Sequence, residues 1–149
     1  MGDKTCFFIG HREAPESIYP ELARTVEQLI EQGVTEFYVG HYGNFDRLAA
    51  RAVIAAKQRH PEVRLTMLLP YHPAESKVVL PAGFDGSLYP PGMENVPRRF
   101  AISRANRWMV EHSTHLVAYV THPASNAGKV VEWGRRGSEK VIIELGRRK

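Results

Sequence analysis

The sequence has one cysteine, Cys6, so it closes no internal disulfide, and a reducing, cytoplasmic setting is the expectation. No apolar run approaches the roughly 18 residues that a membrane-spanning helix needs. The opening residues lead straight into the short apolar stretch Thr5 to Ile9, too short for the core of a secretory leader. Cys6 stands where a myristoylation motif has Ser or Thr, so no lipid anchor is expected. Several catalytic signatures are missing as well. There is no Gly-Lys-Ser/Thr ending of a P-loop, no complete Gly-x-Gly-x-x-Gly, no His-Glu-x-x-His, no Cys-x-x-Cys and no Gly-x-Ser-x-Gly elbow. These absences argue against ordinary NAD binding, a zinc hydrolase and a serine hydrolase.

An excess of one charge is also missing from most of the chain. Lys and Arg number 20 against 16 Asp and Glu, a net charge of +4. That surplus falls entirely from Arg135 onward, in Arg135, Arg136, Lys140, Arg147, Arg148 and Lys149 against Glu139 and Glu144. A nucleic-acid groove is expected to spread basic charge over one face. On this count a nucleic acid is not the expected partner, and the basic tail reads as a solvated end.

What is present is the alternation of short apolar runs with helical patterns. The 149 residues, 43% apolar and 24% charged, have the size and composition of one globular domain. Strands are expected at Thr5 to Ile9, Thr35 to Val39, Val63 to Leu69, His115 to Val120 and Val141 to Leu145. One helix starts near Pro20, buries Leu22, Val26, Leu29 and Ile30, and stops at Gly33. A second follows Asn44 as N-cap and buries Leu48, Ala49, Ala52, Val53 and Ala56. A third runs near Arg98 to His112, burying Phe100, Ala101, Ala105, Trp108 and Met109. The fourth spans about Asn126 to Arg136 and is stopped by Gly137. Residues 70 to 97 interrupt this rhythm with six prolines, and their aromatic residues (Tyr71, His72, Phe84 and Tyr89, with Met93) make them either a lid over the strand ends or a patch on the outside or at an interface. The fold class is therefore α/β: one doubly wound domain of about five mostly parallel strands with helices on both faces.

Such a sheet binds ligands at the carboxyl ends of its strands, which selects three segments. Gly10-His11-Arg12 follows the first strand, where glycine permits close approach and Arg12 offers planar donors for phosphate or carboxylate, unless it is a solvated turn. Gly40-His41-Tyr42-Gly43-Asn44-Phe45-Asp46 joins the second strand to a helix start suited to an anion; Asp46 either holds a ribose hydroxyl or supplies helix N-terminal charge. Ser125-Asn126-Ala127-Gly128-Lys129 follows the fourth strand, with Lys129 a phosphate partner or an exposed helix lysine, and with Glu132 as the one carboxylate available as general base. His11, His41 and His122 each stand beyond a strand, but their spacing fits no metal motif, so no metal is expected. Cys6 reads as an inert core thiol.

Cys6-Phe7-Phe8-Ile9-Gly10-His11-Arg12, Gly43-Asn44-Phe45-Asp46-Arg47-Leu48-Ala49 and Asn106-Arg107-Trp108-Met109-Val110 together resemble the YpsA-like branch of the SLOG superfamily, which joins the Smf/DprA Rossmann-like domains to the LOG phosphoribohydrolases. The resemblance runs over nearly the whole chain. It implies a Rossmann-like domain, 1 to 149 with an insertion at about 70 to 97, that binds a nucleotide or nucleotide-derived ligand. The family's Gly-Gly-Ala-x-Gly-x-Asp loop reads Gly40 to Asp46 here, and its Gly-Gly-Thr turn reads Asn126-Ala127-Gly128-Lys129. The hydrolases' Pro-Gly-Gly-x-Gly-Thr-x-x-Glu keeps only Gly128 and Glu132. Their helix Arg aligns with Ala105, so Arg104 stands one position away, a rotation of roughly 100°. The resemblance thus implies a site more than a reaction.

The expected function is binding of a phosphate-containing, nucleotide-derived small molecule, as sensor or carrier, through Gly10, His11, Arg12, Gly40, His41, Gly43, Asn44, Asp46, Arg104, Asn126, Gly128 and Lys129. The alternative is cleavage of a nucleotide N-glycosidic bond with Glu132 as the acid-base residue. No further cofactor and no membrane partner is expected, and self-association is left open.

Overall fold

In the computed structural model, residues 4–146 other than Ser138 are described. Of the basic tail, Arg147, Arg148 and Lys149 lie outside the described residues, as does the opening Met1-Gly2. The strands are β1 (Lys4–Gly10), β2 (Val34–Val39), β3 (Arg64–Leu68), β4 (Gly86–Leu88), β5 (His115–Tyr119) and β6 (Val141–Glu144). The helices are α1 (Tyr19–Glu31), α2 (Asn44–Lys57), α3 (Ala101–Glu111) and α4 (Asn126–Arg136). The strands form one six-stranded sheet in the order β4-β3-β2-β1-β5-β6, and every pairing is parallel. The architecture is the expected doubly wound one.

β1 lies near the middle and alternates its side chains between two cores. Cys6 and Phe8 join α1 and α2 on one face, while Phe7 and Ile9 join α3 and α4 on the other. This two-sided burial explains why the strand is apolar throughout rather than alternating. Phe8 stacks on Phe37 of β2 at 5.9 Å between ring centres. Leu22, Val26 and Leu29 of α1 are fully buried, each contributing about 2 kcal/mol of apolar transfer. α1 closes as expected, with Gly33 in the left-handed region at φ 98°.

Three expectations change. The sheet has a sixth strand, because β4 forms inside the proline-rich segment and pairs with β3 through Thr66 to Leu68. Three residues flanked by prolines carry no periodic signal, so only tertiary pairing makes them a strand. Asp85 holds it in place, accepting from the Lys57 ammonium at 2.6 Å and from the Leu65 N–H at 2.8 Å. Of this segment only Pro70 borders the cleft, and its aromatics pack on the sheet's two cores. Tyr71, Tyr89 and Met93 pack on the α3/α4 core and Phe84 on the α1/α2 core. Finally, Phe100 is 50% exposed and Trp108 only half-buried. Phe100 belongs to a 3-10 turn, Arg98–Phe100, out of phase with the helix. Trp108 stacks on His112 at 3.8 Å at the margin of the buried stripe.

Candidate functional site

Strand order reverses beside β1: the chain builds β2, β3 and β4 to one side and β5 and β6 to the other. The crevice of a doubly wound sheet opens at such a point, and here a cleft of about 240 Å³ lies over the end of β1, reaching Leu68 and Pro70 at the end of β3 on one side and the start of α4 on the other. Its floor is Phe7 to Gly10. Its walls are His11, Arg12 and Glu13 after β1, Gly40, Tyr42 and Asp46 after β2, Ile102, Ala105 and Asn106 on one face of α3, and Ser125 to Ala127 at the start of α4.

The loop after β1 is clamped by the loop after β2. The Asn44 N–H donates to the Arg12 carbonyl at 2.9 Å, and the Asn44 side-chain amide donates to the Ala14 carbonyl. Gly43, at φ 135°, sits so close that a Cβ would come within 2.6 Å of the Arg12 Cα. Asn44 is therefore a clip rather than the N-cap, which is Gly43. The Tyr42 N–H donates to Asp46 Oδ2 at 3.1 Å. Two donors of the expected anion cradle at Gly40 to Asn44, the Tyr42 and Asn44 N–H groups, are thus spent in holding the loop. The clamp fixes the backbone of Arg12, whose exposed guanidinium has no hydrogen-bond or ion-pair partner among the described residues.

Asp46 sits under that loop with its carboxyl raised from 3.8 to about 6. Burial is the main cause, partly offset by the Tyr42 N–H and by the Arg12 charge. A ribose is not needed to explain it, since one oxygen already caps the loop.

Across the cleft, the Ser125 hydroxyl accepts from the Gly128 N–H at 3.1 Å, and the Ser125 carbonyl accepts from the Lys129 N–H at 3.0 Å. The amides of Asn126 and Ala127 therefore remain as the helix-start donors on the cleft wall. Gly128 is buried, and a Cβ there would lie 2.1 Å from the Pro123 carbonyl oxygen, so its glycine serves packing. His11 ties the two sides together: its Nε2 accepts from the Thr121 N–H at 2.7 Å, and its ring lies 5.5 Å from that of His122. An accepting Nε2 places the proton on Nδ1 in the neutral ring. Burial, then the neighbouring His122, lowers the His11 pKa.

The structure thus gathers Gly10, His11, Arg12, Gly40, Asp46 and Asn126 around one cleft. It leaves others outside. His41 and Gly43 line a separate, mostly apolar cavity beside α2, where His41 stacks on Tyr42 at 4.1 Å, so His11, His41 and His122 do not converge. Lys129 is exposed, and Asn44 and Gly128 play the structural parts described. Arg104 faces a groove on the outer side of α3, because the one-residue offset turns it away from Ala105 and Asn106. Glu132 is exposed on α4, 3.4 Å from Arg135, and does not border the cleft, so it is not placed to act as general base there. Sequence reasoning passed over Asn106, which shares the cleft face of α3 with Ile102 and Ala105. The Asn106-Arg107-Trp108-Met109 motif contained it, but a motif does not say which residue points inward.

No family model matches the chain, and no curated protein matches its sequence. Solved structures do share its fold. The X-ray structure of DNA processing protein A (DprA) from Streptococcus pneumoniae superimposes with a TM-score of 0.63 at 14% identity, over 95% of this chain and 50% of that one. A structure of DprA from Helicobacter pylori, described for its single-stranded DNA binding mode, superimposes at 0.60 with 15% identity, over 97% of this chain and 66% of that one. The chain therefore spans about half to two thirds of these proteins and has the DprA-like Rossmann-like fold. Among the described residues no helix is long and apolar enough to cross a membrane.

The expectation that nucleic acid is not a partner does not stand, since a protein of the same fold binds single-stranded DNA. It rested on charge summed along the chain. A sum cannot register how arginines and acids are sorted among faces once helices form, and that sorting governs the local field.

Proposed function

We propose that the cleft over the end of β1 binds the phosphate-bearing part of a nucleotide. The observation that carries this reading is the unpaired Arg12 guanidinium, held by the Gly43–Asn44 clamp in the same cleft as the Asn126 and Ala127 amides. A planar cation and a helix start together form an anion site. Asn106 and Tyr42 supply the remaining polar contacts. Within the superfamily, our placement is the YpsA-like branch, supported by the three motifs around Arg12, Asn44 and Asn106. The nucleotide is a free ligand in the first reading, with the protein a sensor or carrier in the cytoplasm. A second reading, favoured by the fold shared with the DNA-binding H. pylori protein, has the nucleotide as one unit of a single strand.

A thermal-shift and calorimetric panel of nucleotides, ADP-ribose and inorganic phosphate tests the reading. Arg12→Ala is expected to weaken a responding ligand by about 1.5–3 kcal/mol, the contribution of a charge-assisted hydrogen bond. No response from any of these at millimolar concentration removes the proposal, and an unchanged affinity in Arg12→Ala removes Arg12 from it.

A further inference from the structure

The side of α3 turned away from the cleft carries the exposed Arg104 and Arg107 beside Trp108, which itself rests on the α3/α4 core and on His112. Ala101, Ala105 and Met109 anchor the helix. Arg104, Arg107, Trp108 and Glu111, at helical spacings of three and four, form a stripe on another face. With Pro91 to Met93 they border a groove of about 370 Å³. The turn leading into the helix adds Arg98, Arg99 and the half-exposed Phe100.

The groove thus brings Arg104 and Arg107 together with Glu111, while Arg98 and Arg99 stand on the turn before it. Only Arg107 is ion-paired, to Glu111 at 3.4 Å. Arg99 lies 4.8 Å from the Phe100 ring centre, Arg98 4.2 Å from that of Tyr71, and Arg107 5.3 Å from that of Trp133. Arg104 has no such partner among the described residues. Arg98 and Arg99 thus have aromatic faces rather than carboxylates beside them, and of the groove's two arginines only Arg107 is neutralised. Arg98 also connects this surface to the cleft, since both it and Arg12 act electrostatically on the Tyr42 hydroxyl in the cleft wall.

We infer that the outer face of α3 with the turn before it, from Arg99 to Arg107, is a second binding surface that takes a single-stranded nucleic acid, with arginines on its phosphates and the half-exposed Phe100 offering a stacking face. Arginines alternating with aromatic rings suit a single strand, which presents both charge and unstacked bases; an acidic peptide would use the charge alone. The stripe covers roughly 10 Å of helix, the reach of a few nucleotides. The inference stands on this surface alone and extends the reading of the cleft without requiring it.

The test is fluorescence anisotropy of a labelled dT12 oligonucleotide at a series of salt concentrations. Wild-type protein is expected to bind with an affinity that falls steeply with salt. Arg104→Gln/Arg107→Gln, both exposed positions, should lose about tenfold in affinity at low salt and flatten the log–log salt slope by ~1.4, the value for two single-strand phosphate contacts. The thermal shift produced by mononucleotides in the cleft should be unchanged in that variant. Phe100→Ala should lower affinity several-fold without changing the slope. The inference is overturned if wild-type protein does not bind dT12, or if the double variant keeps both affinity and slope. It is also overturned if a polyglutamate of equal charge competes as well as unlabelled dT12 and Phe100→Ala has no effect. Absence of a mononucleotide response alongside Arg104/Arg107-dependent binding of dT12 would remove the cleft reading and leave this one standing.

Discussion

Asp46→Asn tests the electrostatics of the cleft. The Asp46 carboxyl is held under the β2–α2 loop, and its pKa rises from 3.8 to about 6 chiefly because burial disfavours the charge. A rise of that size corresponds to at most ~3 kcal/mol of destabilisation of the ionised form, and access to water from the cleft reduces it to about 1–2 kcal/mol. Asparagine has nearly the same shape, and its carbonyl still accepts from the Tyr42 N–H. The substitution should therefore stabilise the protein by about 1–2 kcal/mol at pH 8. The sign follows from linkage. With the folded pKa above the unfolded one, the wild-type carboxyl favours folding fully below about pH 4 and loses that contribution as pH rises through about 6. The advantage of Asp46→Asn should accordingly be greatest at pH 8, shrink through pH 6 and disappear near pH 4. Urea denaturation at four pH values reads this directly, and phosphate affinity at pH 8 should rise in the same variant. A stability difference that is flat with pH, or a loss at pH 8, would show that Arg12 rather than burial governs the group, and the account of the cleft would be wrong.

Three other outcomes are expected. His11 accepts from the Thr121 N–H and has a lowered pKa, so folding stability should fall as pH drops below about 6.5; His11→Gln should reduce this dependence, measured in the Asp46→Asn background, where the opposing carboxyl is gone. Gly43→Ala must adopt φ 135° and overlap the Arg12 backbone, so it should cost about 2–4 kcal/mol in chemical denaturation, and a loss under 0.5 kcal/mol would refute the clamp. Asp85→Ala removes the acceptor shared by Lys57 and the Leu65 N–H. It should cost about 1–3 kcal/mol and selectively abolish hydrogen-exchange protection in β4; uniform loss across the sheet would contradict a local role.

Much of the fold was legible because its determinants are local. The apolar run around Phe7 and Phe8 reads as a strand buried on both faces, and the spacing of Leu22, Val26 and Leu29 reads as a helix, since each pattern reports a period that the backbone imposes. β4 was not legible, because three residues between prolines become a strand only when β3 is there to pair with them. Strand ends named loops that border the cleft, yet not which side chains in them would share a space.

The sequence by itself determined the alternation of strands and helices, the choice of the loops after β1, β2 and β5 as the candidate edge, and the Arg12 and Asn126 positions on that edge. Tertiary structure alone decided which residues of those loops border the cleft and which hold the loops together. Asn44, Gly43 and Gly128 turned out to be packing and hydrogen-bonding parts, Arg104 and Glu132 were carried outward by helical rotation, and Asn106 was carried in. It also decided the charge pattern: net charge is additive along a chain, whereas the field at a surface depends on which face each arginine occupies, and helix docking sets that face.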